Sequence, residues 1–135
     1  MKLLILPSLL SIILMSSVCF ISCAQSGPEG QEGYEKVSPE AFETAMSLEG
    51  MQLVDVRTAD EFSEGYIEGA VNYDYLSDEI PSLISSLDKS KPVLVYCRSG
   101  KRSASSAELL LEAGFSQVYD LEGGFLAWQK YIEDK

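Results

Sequence analysis

The 135-residue chain encodes an α/β domain, a parallel sheet with helices on both faces. Three features carry that expectation. From Tyr34 onward, short apolar runs of strand type alternate with amphipathic segments of helix type, and strands joined through helices run parallel with the helices covering the sheet. The run Pro92-Val93-Leu94-Val95-Tyr96 is apolar almost throughout, as a strand buried on both faces must be. Gly50, Gly65, Gly69, Gly114 and the pair Gly123-Gly124 fall between the segments and punctuate them as turns.

The elements follow in order. Lys36-Val37 is a short strand. Ser38-Pro39-Glu40 then starts a helix, with Ser at the N-cap, Pro at the first helical position and an acid in the first turn. Phe42, Ala45, Met46 and Leu48 recur at helical spacing until Gly50 ends the helix. Gln52 to Val56 is a strand. Thr58 caps a short acidic helix over Ala59 to Glu64, and a turn leads to a strand from Ala70 to Tyr73. Ser77 or Asp78 opens a helix carrying Ile80, Leu83, Ile84 and Leu87. After the buried strand, Ala104 to Ala113 is a helix with Ala107, Leu110 and Leu111 inward. Gln117 to Leu121 is the last strand and Phe125 to Ile132 the last helix.

Composition removes several function classes. There is no His, so neither a Ser-His-Asp triad, a Cys-His pair nor a His-ligated zinc site can form. Three cysteines, Cys19, Cys23 and Cys97, are too few for a disulfide scaffold or an all-cysteine zinc site. A net charge of -11 opposes a nucleic-acid partner, which requires clustered cations.

Residues 1–22 have the form of a signal peptide: Lys2, an apolar run from Leu3 to Ile21, and small residues near its end. An uncleaved anchor is the alternative, because the run approaches the ~20 residues that span a bilayer. Ile21-Ser22-Cys23-Ala24 resembles a bacterial lipoprotein lipobox, which implies cleavage before Cys23 and acylation of that cysteine. Residues 23–33 would then be the lipidated Cys and a flexible tether, since QSGPEGQEG has no apolar side chain to bury. Residues 34–135 form the folded domain. The expectation is a domain held at a bacterial membrane by its lipid alone, facing the periplasm or exterior, because a negative domain is repelled by anionic headgroups.

The chemistry falls after the buried strand, where open α/β sheets place their sites. The segment reads Cys97-Arg98-Ser99-Gly100-Lys101-Arg102-Ser103. Amides in a tight strand-to-helix loop form an anion-binding nest, and the first amides of the helix add to it. Arg98, Lys101 and Arg102 supply full charges. Together these favour thiolate over thiol at Cys97, and thiolate is the nucleophile. The GxxxxGK[ST] spacing of a phosphate loop is missing.

Four motifs stand in sequence: Val54-Asp55-Val56-Arg57 with Glu61-Phe62, Gly65-Tyr66-Ile67-Glu68-Gly69-Ala70-Val71-Asn72, the Cys97 loop, and Gly123-Gly124-Phe125-Leu126-Ala127-Trp128. In this order they closely resemble the rhodanese-like family of single-domain sulfurtransferases, over roughly Tyr34 to Lys135. The resemblance implies a five-stranded parallel sheet with helices on both sides and transfer of sulfane sulfur through a Cys97 persulfide. It implies a small anionic donor such as thiosulfate and an acceptor such as cyanide or a thiol. No cofactor is called for. The loop from Arg98 to Ser103 would bind the substrate, its amides stabilising the negative persulfide sulfur, and Arg98, Lys101 or Arg102 would orient the donor. Asp55 and Arg57 are expected to fix neighbouring loops by hydrogen bonding rather than to act on substrate. Where the family often has His, this chain has Tyr66.

Two alternatives remain. A rhodanese scaffold can serve as a binding module for a redox or sulfur-carrier protein, since fold does not fix function. A cysteine phosphatase or arsenate reductase has a similar site but places five residues between Cys and Arg; here four separate Cys97 from Arg102.

Overall fold

The computed structural model describes residues 33–135. The signal, lipobox and tether assignments through residue 32 lie outside the described residues. Five strands, β1 (Gly33–Val37), β2 (Gln52–Asp55), β3 (Val71–Asn72), β4 (Val93–Tyr96) and β5 (Gln117–Leu121), form one sheet in the order β1-β5-β4-β2-β3. Every pairing is parallel. Four helices connect them, α1 (Pro39–Met46), α2 (Ala59–Ser63), α3 (Ile80–Ser86) and α4 (Lys101–Glu112), and α5 (Gly124–Glu133) follows the last strand.

The alternation of β4 explains the layers. Val93 and Val95 point to one face, where they pack with Leu83 of α3 and with Ala107 and Leu110 of α4. Leu94 and Tyr96 point to the other, where Phe42 of α1 closes the core and Trp128 and Phe125 of α5 pack against it. The middle strand is thus buried on both sides, and its carboxyl end opens where helices begin. Caps anchor the early helices: the Ser38 hydroxyl accepts from the Ala41 amide at 3.3 Å, and Thr58 and Glu61 form a reciprocal capping box on α2.

Most boundaries shift by a residue or so, and three starts shift furthest from the sequence expectation. β1 begins at Gly33 rather than Lys36, because pairing with β5 extends an edge strand that has almost no apolar pattern of its own. The helix expected from Ser77 or Asp78 starts at Ile80. Asp74 instead caps a 3-10 turn over Tyr75–Ser77, and Asp78 takes a left-handed conformation at φ 56°. The most consequential shift is at α4, which begins at Lys101 and not Ala104. No side chain caps it, so the sequence carries no cap signal, and its polar first turn reads as loop.

Candidate active site

β4 ends at Tyr96 and delivers Cys97 to the carboxyl end of the middle strand, where the residue is only 1% exposed. Three residues separate it from α4. The turn closes because Gly100 takes φ +99°, a region that residues with a Cβ avoid. This geometry puts the Gly100 amide 3.1 Å from the Cys97 Sγ. The first turn of α4 brings the Ser103 hydroxyl to 3.6 Å from the same sulfur. Burial pushes the thiol pKa up, but the Ser103 hydroxyl and the amides of Ser103, Ser99 and Gly100 outweigh it, leaving Cys97 below the ordinary thiol value.

The three cations do not act as one group. The early start of α4 fans Lys101 and Arg102 in different directions, since successive helical residues lie about 100° apart. Lys101 is exposed. Arg102 turns to Glu61, with Nη1 to Oε2 at 2.7 Å and Nη2 to Oε1 at 2.9 Å. The Arg102 hydrogen bonds, aided by Thr58, hold the Glu61 carboxyl down to about 2 against the effect of burial. Both terminal nitrogens of the Arg102 guanidinium are thus engaged by Glu61. Arg98 is exposed and lines a cleft of about 330 Å³ together with Arg57, Glu64, Gly65, Phe125 and Gln129.

Asp55 and Arg57 stand one layer away. Arg57 donates through Nε and Nη2 to the Asp55 carboxylate at 2.6–3.1 Å, and its amide reaches Oδ1 at 2.8 Å. Nη2 also donates to the Gly65 carbonyl at 2.6 Å. The guanidinium lies 4.0 Å from the Phe125 ring centroid. Asn72 of β3 donates to the carbonyls of both Asp55 and Arg57, at 3.0 and 2.9 Å. The pair braces the turn after β2 against the Gly65 turn and α5.

The N-terminus of α5 closes the back of the loop. The Phe125 amide donates to the Cys97 carbonyl at 2.8 Å and the Leu126 amide to the Arg98 carbonyl at 3.1 Å. Gly124 is required for this approach: a Cβ there would lie 2.5 Å from the Cys97 carbonyl oxygen. Tyr66, 53% exposed, stacks on Phe62 with ring centroids 4.3 Å apart and shares a shallow rim cavity with Phe125 and Trp128. Trp128 also packs its edge against Phe42, as part of the core and the pocket wall together.

Several contributors were not singled out from sequence. Glu61 is the partner of Arg102, and its capping-box position was the available signal. Asn72 and Gly124 lay within noted motifs but without a role. Asp120 is fully buried near the end of β5, and a lone acid inside an apolar strand was the sign of it. Among the described residues, no group of three or more His, Cys, Asp and Glu side chains gathers to hold a metal.

A family model described as the rhodanese-like domain matches residues 38–131. The chain belongs to the rhodanese-like domain family. It is similar to a thiosulfate sulfurtransferase GlpE of Pseudomonas savastanoi pv. phaseolicola, 35% identical over 102 residues that cover 76% of this chain and 93% of that protein. It is 38% identical over 93 residues to the chloroplastic thiosulfate sulfurtransferase 16 of Arabidopsis thaliana, covering 62% of this chain and 78% of that one. Among solved structures, a rhodanese-like domain protein from Staphylococcus aureus superposes with a TM-score of 0.61 at 32% identity, over 70% of this chain and 90% of the other. The five-stranded parallel sheet and flanking helices of this rhodanese-like domain agree with that neighbour.

Proposed function

We propose that this rhodanese-like domain transfers sulfane sulfur from a small anionic donor such as thiosulfate to cyanide or a thiol, through a persulfide on Cys97. The observation that carries it is the Cys97 sulfur held by the Gly100 amide and the Ser103 hydroxyl at the head of α4. In the first half-reaction the thiolate attacks the donor's outer sulfur. A new S–S bond forms, the donor's own S–S bond breaks, and sulfite leaves with the electron pair. Sulfite is a stable anion, so its departure requires no acid catalyst. The terminal persulfide sulfur carries the negative charge, and the same neutral donors stabilise it as an oxyanion hole stabilises oxygen. Arg98 and Lys101, both exposed on the loop, are the cations available to draw the donor in. In the second half-reaction the acceptor attacks the terminal sulfur, the S–S bond to Cys97 breaks, and the thiolate returns.

Intact mass after incubation with thiosulfate tests this. The expected result is a gain of about 32 Da, removed by cyanide and missing in Cys97→Ser. A protein that stays unlabelled, or a Cys97→Ser variant that turns over normally, refutes the covalent route. The sequence further supports placing the domain in the bacterial envelope through a lipid on Cys23. Metabolic palmitate incorporation lost in Cys23→Ala is the expected outcome, and label retained in that variant refutes it.

A further inference from the structure

Two cavities open beside the Cys97 loop and adjoin one another. The cleft that Arg98 lines and the rim cavity, about 250 Å³, share Phe125 and Gln129 of α5. Their walls carry exposed apolar side chains at three places: Tyr66, Leu126 and Ile132 are each about half exposed. Leu126, Gln129 and Ile132 follow one another in steps of three, so they keep to one side of α5, and Tyr66 meets them from the turn before β3. From Leu126 to Ile132 the helix rises about 10 Å, the reach of about three extended residues. The strip begins at the nucleophile, because the Phe125 and Leu126 amides donate to the Cys97 and Arg98 carbonyls.

Tyr66 is fixed from both sides. The Gly65 carbonyl before it accepts from Arg57 Nη2 at 2.6 Å, and the Ile67 amide after it donates to the Tyr96 hydroxyl at 3.0 Å. Its ring stacks on Phe62. A rigid aromatic loses little freedom when it is covered, which suits it to anchor a partner. Thiosulfate and cyanide are small hydrophilic ions and leave an apolar strip at the mouth of the site unused, whereas contiguous exposed apolar surface marks an interaction site. Charge defines the partner further. Glu64 in the cleft and Glu133 at the far end of the strip form no ion pair among the described residues, so basic groups complement both ends.

We propose that Tyr66, Leu126 and Ile132 form a docking strip for a polypeptide acceptor: a segment whose cysteine takes the sulfur, with aliphatic residues beside that cysteine and basic residues at its flanks. This rests on the sulfur-transfer assignment and names the acceptor that the site serves. The aliphatic side chains cover Tyr66, Leu126 and Ile132, and the basic flanks reach Glu64 and Glu133. The segment's thiolate attacks the terminal persulfide sulfur. A new S–S bond forms, the bond to Cys97 breaks, and its electron pair returns to the Cys97 sulfur. The segment leaves as the persulfide, and no further oxidant or reductant is needed.

The test is sulfite release from thiosulfate by the full chain with three acceptors: cyanide, the apolar peptide acetyl-Lys-Leu-Leu-Cys-Leu-Leu-Lys-amide, and its polar counterpart with Ser in place of every Leu. The apolar peptide should exceed the polar one about tenfold in kcat/KM. Tyr66→Ser and Ile132→Ser should each cut that preference about three- to tenfold, through KM rather than kcat. Absence of a preference overturns the proposal. So does a preference that neither substitution touches, an equal loss with cyanide, or a changed pH profile of Cys97 alkylation by iodoacetamide, which would put the effect on the nucleophile. Trp128 is the sole Trp and lines the rim cavity, so its fluorescence in Cys97→Ser follows docking without transfer. A saturable change with the apolar peptide alone is expected, and none overturns the proposal. Docking that persists where wild type forms no persulfide sinks the sulfur-transfer assignment and leaves the strip; persulfide formation without docking sinks the strip alone. A dimer in sedimentation that Tyr66→Ser dissolves, or flotation with phosphatidylglycerol vesicles that Tyr66→Ser abolishes, gives the strip another occupant and also overturns the proposal.

Discussion

The sulfur of Cys97 and the carboxylate of Asp55 stand at the ends of adjacent, register-matched strands, β4 and β2, and are stabilised by opposite means. Around the sulfur the donors are neutral, the Gly100 amide and the Ser103 hydroxyl. Around Asp55 stands a full charge: the Arg57 guanidinium, buried with it and bound on two nitrogens. The difference follows from what each group must do. A nucleophile has to leave its donors and return to them, and fixed dipoles serve it without reorganising. A brace has only to stay, and a fully matched ion pair fixes two turns at once. A cation locked onto the sulfur with comparable strength would compete with the donor for the same negative atom.

The comparison breaks first at the brace. Arg57→Ala leaves a buried carboxylate with no counter-charge, and the expected loss is about 3–5 kcal/mol of stability. Urea denaturation checks it. Replacing Asp55 and Arg57 together by apolar residues of similar volume should cost markedly less, since both charges leave together. The next effect is at the clamp behind the loop. Gly124→Ala would put a methyl against the Cys97 and Arg98 backbone at φ +62°, and the combined overpacking and left-handed strain should cost about 2–4 kcal/mol. Gly100→Ala meets nothing closer than 3.9 Å, so only the backbone penalty remains, about 1–2 kcal/mol. Its signature is in the sulfur. As the turn relaxes and the Gly100 amide swings away, Cys97 alkylation should shift to higher pH, while thermal unfolding changes little beside that of Gly124→Ala. An unchanged alkylation profile would show that the amide donor is dispensable.

The sheet was legible in sequence because buried parallel strands are written as apolar runs, and β4 could hardly be anything else. Cys97 and its neighbours were legible for a related reason: polar residues and one Gly follow such a run abruptly. What the sequence did not carry was the fate of the charges. Arg98, Lys101 and Arg102 look alike in a string, and only the early start of α4 separates Arg102, turned to Glu61, from Arg98, turned to the cleft. Gly100 at the N-cap sends no side-chain signal, so that start was invisible. Asp120 was hidden because its partner is remote in sequence: Tyr34 lies 86 residues away.

The smallest expected effect is also the one that separates charge from dipole most cleanly. Glu61 is depressed from 4.5 to about 2, mainly by its hydrogen bonds from Arg102. A carboxyl with a depressed folded pKa contributes its stability in full above the unfolded value and loses it as pH falls toward the folded one. The window here is therefore from about pH 4.5 down to about pH 2. The side chains are 18% and 23% exposed, so the pair is worth only about 1 kcal/mol. Glu61→Gln should cost that much in urea at neutral pH, and the gap to wild type should narrow as the acid limit is approached. The amide can keep the Thr58 cap, so α2 survives the change. The same variant frees Arg102, whose charge already feels Cys97. Alkylation at Cys97 should then shift to slightly lower pH even as the fold weakens, stability and sulfur acidity moving in opposite directions. If the alkylation profile stays where it is while stability falls, Arg102 has no electrostatic reach to the sulfur, and the neutral donors alone set its acidity.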